Sequence, residues 1–145
     1  MDLTTGYPRS VSDKLAGIVM LARTIDKGRA KLAGTLGEYN YDCPMDKRLF
    51  DFLGTTGDEF LAVVKAHDDA AIAQYVQDTY LSKKTPEQIE TFNAKVLSHS
   101  PQDDESRAYF QGLLDKVAPG RSDITTWAQL LDADEGRSVA VAAGA

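Results

Sequence analysis

The sequence predicts an all-α fold, a single-domain bundle of about six to seven helices with a long first helix and a polar loop after it. Helix-start and helix-stop residues recur at short intervals along the chain. The apolar residues between them fall at helical spacings of three and four. Turn signals of the kind that punctuate strands are nearly absent.

Taken in order, Ser10 or Ser12 is placed to cap a first helix that runs to about Ala33, with Gly34 and Gly37 ending it. Residues 34–43 read as a loop, with room for one short extended segment around 38–41. Pro44 suits the first position of a second helix, where its missing N–H costs nothing. That helix carries Leu49, Phe50, Phe52 and Leu53 and stops at Gly54. Thr56 and Glu59 have capping-box spacing and open a third helix through Val64. Asp68 or Asp69 caps a fourth, with Ile72, Tyr75, Val76 and Tyr80. Thr85 and Gln88 form a second capping box, followed by Ile89, Phe92, Val96 and Leu97. Ser100-Pro101 opens the next helix, with acids 103–105 in its first turn, where the dipole favours anions. Its apolar face is Tyr109, Phe110, Leu113, Leu114 and Val117, and Pro119-Gly120 ends it. Asp123 or Thr125 caps a last helix through Leu131. One domain over residues 1–137 is expected, followed by a mobile tail over 138–145.

At 145 residues, 43% hydrophobic and 26% charged, the chain has the composition of a soluble globular domain. It contains no apolar run of the roughly 20 residues that cross a bilayer, and its first residues lack a signal-peptide layout. A lone cysteine, Cys43, forms no internal disulfide, so a cytoplasmic location is expected, with no membrane partner. A net charge of −6 opposes nucleic-acid binding, which needs a basic surface.

The first helix breaks the binary pattern. On a wheel of about 100° per residue, Leu15, Ile18, Val19, Leu21, Ala22, Ile25 and Leu32 share one broad arc. Asp26 and Arg29 fall inside that arc and Arg23 at its edge, while Lys27 and Lys31 point to the far side. Asp26 lies three residues from both Arg23 and Arg29 and can pair with either. A buried charge without a partner is costly, so the group must pair internally or line a polar cavity. Two guanidinium groups against one carboxylate leave a positive charge, suited to a carboxylate or phosphate ligand. An interior salt bridge that fixes helix packing is the plainer alternative.

The following loop gathers Glu38, Tyr39, Tyr41, Asp42, Cys43 and Asp46 just before a helix N-terminus, where N–H groups can receive an anion. Cys43 falls at the N-cap, a position that favours a reactive thiolate; the alternative is a small buried hydrophobe. Near the C-terminus, Asp123 reads as a cap and Trp127 as a core anchor, leaving Arg121 without a structural reason. No phosphate loop or dinucleotide motif occurs. Two distant histidines, His67 and His99, with one cysteine make no zinc set, and no metal is expected. No cofactor is indicated.

Several stretches resemble one known family. They are Pro8-Arg9-Ser10, Lys14-Leu15-Ala16-Gly17, Leu21-Ala22-Arg23-x-Ile25-Asp26-Lys27-x-Arg29-Ala30, and Gly37-Glu38-Tyr39-x-Tyr41-x-Cys43-Pro44-x-Asp46. To these are added Ala118-Pro119-Gly120-Arg121-x-Asp123-Ile124-Thr125-Thr126-Trp127 and Leu130-Leu131-Asp132-x-Asp134-Glu135-Gly136-Arg137. The resemblance, from about Leu3 to Arg137, is to the small bacterial family catalogued as domain of unknown function family 5069. It implies a stand-alone domain and transfers no catalytic role.

Two functions follow as expectations. In the first, Arg23, Asp26, Arg29, Tyr39, Tyr41, Cys43 and Asp46, with Arg121, line a pocket between the first helix and the loop for a small anionic metabolite. Asp26 or Cys43 would then be the base or nucleophile of any catalysis. In the second, the same charges hold a packing or homodimer interface in register, without catalysis.

Overall fold

The computed structural model describes residues 1–140. Among them lie seven α-helices, one 3-10 turn and no strand, as the sequence predicts. The helices are α1 (Leu21–Ala33), α2 (Pro44–Leu53), α3 (Gly57–Ala66), α4 (Asp69–Thr79), α5 (Pro86–Ser98), α6 (Asp104–Val117) and α7 (Trp127–Asp134). No helix among the described residues is long and apolar enough to cross a membrane. The chain divides into two compact units, residues 1–94 and 95–145, with the division inside α5.

In the first unit α1 is the innermost element. Residues 21–28 are all buried, which is more than two turns of helix with no face left to solvent. The helix starts later than its apolar pattern suggests. Leu15 and Ile18 exchange backbone hydrogen bonds of 3.1 Å across a tight reversal at Ala16 and Gly17. Both central residues have positive φ, the conformation of the two-residue hairpin turn. Met20, itself at positive φ, then starts α1, with its N–H bonded to the Val11 carbonyl. Ile18 and Val19 therefore enter the core from this turn and not from a helix. Leu32, placed by the wheel on the apolar arc, is exposed.

Asn93 of α5 secures the turn from outside. Its carbonyl accepts from the Val19 N–H at 3.0 Å and its amide donates to the Gly17 carbonyl at 3.0 Å. The N-terminal segment crosses the other end of α1, where the Leu3 N–H bonds the Thr35 carbonyl. Gly37 faces that crossing at φ 61°, and a Cβ there would sit 2.8 Å from the Leu3 carbonyl oxygen. The position is therefore restricted to glycine by conformation and by space. Helix α3 packs against α1 and α2, with Tyr41, Phe50 and Phe60 in a run of tilted ring contacts at 5.9 and 5.5 Å. Helices α2 to α4 begin and end where their caps predict, within two residues.

The second unit is built on α6 and α7. Phe110, Leu114, Ile124 and Leu130 form its core, with Trp127 edge-on to Phe110 at 5.0 Å. Asp103 caps α6, and Thr126 caps α7 in a full capping box with Gln129. The starts expected at Ser100-Pro101 and at Asp123 or Thr125 are corrected accordingly. Val139 of the expected tail packs on this core; residues 141–145 of that tail lie outside the described residues.

Asn93→Ala removes the acceptor for a buried N–H. It should lower the unfolding free energy by about 1–3 kcal/mol, read as a lower urea midpoint at unchanged slope; an unchanged midpoint would contradict this role.

Candidate functional site

Charged side chains on a helix with no solvent face must find partners on whatever surrounds it. Among the described residues, Asp26, Lys27 and Arg29 of α1 each reach a different segment.

The first is the N-terminal segment. Both oxygens of Asp26 are held by Arg9: Oδ2 accepts from the Arg9 backbone N–H at 2.8 Å and from Nε at 3.0 Å, and Oδ1 from Nη2 at 3.1 Å. Arg9 is thus the partner of Asp26, in place of Arg23 or Arg29. Arg23, buried, donates to the Arg9 carbonyl at 3.2 Å and lies 5.6 Å from the centre of the Tyr39 ring.

The second is the loop and the start of α2. Lys27, expected to face solvent, is buried and forms an ion pair of 2.8 Å with the fully buried Asp46. Its ammonium also donates to the Asn40 carbonyl and to Cys43 Sγ, at 3.1 and 3.3 Å. Thr24 donates to the other Asp46 oxygen at 2.7 Å. Asp46 further accepts the Asp42 and Cys43 N–H groups at 3.0 and 3.3 Å, the carboxylate half of a capping box. Cys43 is at the N-cap as expected, half-buried. The α2 N-terminus therefore already holds an anion, the protein's own Asp46. Tyr41 donates to the Gly57 carbonyl at 2.7 Å. Burial first, and then the charges of Asp46, Asp42 and Asp58, push its hydroxyl pKa upward.

The third is α4. Asp69, in its first turn, accepts from Arg29 Nη1 at 2.5 Å and pairs with Arg9 Nη1 at 3.0 Å. Partial burial alone would raise the Asp69 pKa, but the hydrogen bond from Arg29 and the charge of Arg9 outweigh it and hold it below the ordinary carboxylate value. Exposure separates this cluster from the others. The side chains of Arg9, Asp69 and Arg29 are 35, 40 and 30% exposed, against 4% for Asp26 and Lys27 and zero for Asp46.

Arg121 belongs to the second unit. It forms a two-pronged pair with Asp123, at 2.8 and 2.9 Å, and donates to the Val139 carbonyl. It borders an open cavity of about 320 Å³ together with Ile124, Arg137 and Val139.

Asp26 and Arg29 are visible in the helical pattern, whereas Arg9 and Asp69, 17 residues before Asp26 and 40 after Arg29, are not. Helical spacing reports only neighbours on the same helix, and both partners lie on other segments. The one available signal for Arg9 was its place in the Pro8-Arg9-Ser10 stretch.

The fold and its charged centre define a class of protein: an all-α domain in which Asp26, Lys27 and Arg29 of one largely buried helix pair with other segments of the chain. Residues 5–137 match the family described as Domain of unknown function (DUF5069), and the chain belongs to that family. None of the curated proteins compared with the chain matches it.

Breaking a buried pair from one side leaves an uncompensated charge. Lys27→Met and Asp46→Asn should each cost about 3–5 kcal/mol, and the double substitution should cost less than their sum by about 0.5–3 kcal/mol. Guanidinium unfolding of the four proteins measures this, and strict additivity would contradict the pairing.

Proposed function

We propose that this domain binds a small anion, a carboxylate or a phosphate ester, at the half-exposed group formed by Arg9, Arg29 and Asp69. The observation that carries this reading is the difference in exposure along the charged network. Solvent reaches these three side chains, while Asp26, Lys27 and Asp46 are sealed. Among the described residues, Arg29 has one protein hydrogen-bond partner, Asp69, and a guanidinium offers five N–H donors. Guanidinium groups that solvent reaches suit an external oxyanion. Arg23 and Tyr39 serve as support in this reading, through the Arg9 carbonyl.

The reading is one of binding and not of catalysis by Asp26 or Cys43. Asp26 has both oxygens engaged by Arg9, which leaves it poorly placed to accept a proton. Cys43 receives a hydrogen bond from the buried Lys27 and opens α2. Arg121, paired with Asp123, has no part in it.

A second reading is favoured by the burial of the remaining pairs. In it the charges fix the packing of α1, or an interface between two copies of the domain, and no ligand is involved.

A thermal-unfolding series in dilute buffer with phosphate, citrate, succinate and chloride separates the two. Saturating the binding anion at about 100 times its Kd should add about 2.7 kcal/mol of apparent stability, and the resulting rise in Tm should disappear in Arg29→Ala. Equal melting in all four anions would contradict the ligand reading and favour the structural one.

A further inference from the structure

We infer that Asp69 is an internal counter-ion standing where the ligand's anionic group binds, so that ligand and Asp69 compete for the Arg9 and Arg29 guanidinium groups. The inference rests on the anion-binding reading above and adds what regulates that site.

The geometry has three parts. Each Asp69 oxygen faces a different guanidinium, Oδ1 toward Arg29 at 2.5 Å and Oδ2 toward Arg9 at 3.0 Å. One carboxylate thus spans two cations, as a bound carboxylate or phosphate would. Arg9 does not depend on Asp69 for its position. Its Nε, Nη2 and backbone N–H are fixed on the buried Asp26, leaving Nη1 as the atom that meets Asp69. Arg29 leaves the innermost helix one residue after the buried stretch 21–28. Removing the Asp69 charge would therefore leave two cations close together, with Arg9 already fixed. With Arg9 held by Asp26, only the Arg29 side chain has to be ordered when an oxyanion binds, which lowers the cost of assembling the site.

Asp69 is also the most exposed member of the group, at 40%, against 30% for Arg29 and 35% for Arg9. It lies at the start of α4, where Asp68 carries the cap by accepting from the Ala71 N–H. The cap does not need Asp69, so its side chain can leave the arginines while the helix start remains satisfied. By its charge, Asp69 sets a threshold. It repels the incoming anion and occupies its donors, so that a weakly charged anion is excluded and a multiply charged one competes.

The test is isothermal titration of inorganic phosphate and of succinate into the wild-type chain, Asp69→Asn and Asp69→Glu at low ionic strength. Asp69→Asn keeps the shape and removes the charge, and should bind both probes at least about tenfold more tightly than wild type. Asp69→Glu keeps the charge and should stay near the wild-type affinity. Circular dichroism of each variant establishes that it is folded. Because the Asp68 cap remains, Asp69→Ala serves as a second charge-removing variant if Asp69→Asn unfolds.

Tighter binding to the folded charge-removing variant supports the inference, even where wild-type binding is too weak to register. In that case the wild-type ligand reading fails and the masking role of Asp69 stands. Measurable wild-type binding with no gain in the charge-removing variant overturns the inference and leaves the anion-binding reading intact. Absence of binding to every folded variant overturns both.

Discussion

The ion pairs that α1 makes with its surroundings are the constraint on which the first unit depends. A helix buried over residues 21–28 would ordinarily be apolar on every face, yet this one carries Arg23, Asp26 and Lys27 into the interior. The apolar residues alone do not choose among the ways in which surrounding segments could pack against it. The charges do. Asp26 takes the N-terminal segment through Arg9, Lys27 and Thr24 take the loop and α2 through Asp46, and Arg29 takes α4 through Asp69. For Asp26, Lys27 and Asp46, losing the partner strands a charge in a low-dielectric interior, and that penalty exceeds what most single contacts contribute.

Local structure follows from this arrangement. Asp46 engages Lys27 and Thr24 and also caps α2, so one carboxylate sets both the start of that helix and its docking on α1. The turn at Ala16 and Gly17 delivers Ile18, Val19 and Met20 to the core. Arg9 links two clusters, since Asp26 holds it on one side and Asp69 meets it on the other. A substitution in one cluster should therefore be felt in the next.

The helices were legible in the sequence to the extent that their caps were. Thr56, Asp68 and the Thr85–Gln88 pair behave as their residue types require, because capping is a local interaction. The start of α1 was not legible, since Leu15, Ile18 and Val19 fit a helical stripe and only Gly17 hints at the reversal. The reversal is held in part by Asn93, more than seventy residues away. The same division applies to the candidate site. That Asp26 and Arg29 sit on an otherwise apolar helix was visible in the periodicity. Lys27 was misplaced because a wheel assumes one buried face, and α1 has no exposed one there. Arg9 and Asp69 could come only from the tertiary structure.

If α1 is the fixed centre of its unit, its amides are the last to open. Native-state hydrogen exchange measures this directly, residue by residue. The account predicts that the amides of residues 24–30 exchange only through global unfolding, with a free energy equal to that from denaturant. Those of α2 and α4 should open at lower cost. Exchange of the α1 amides by local opening, at or below the free energies of α2 and α4, would contradict it.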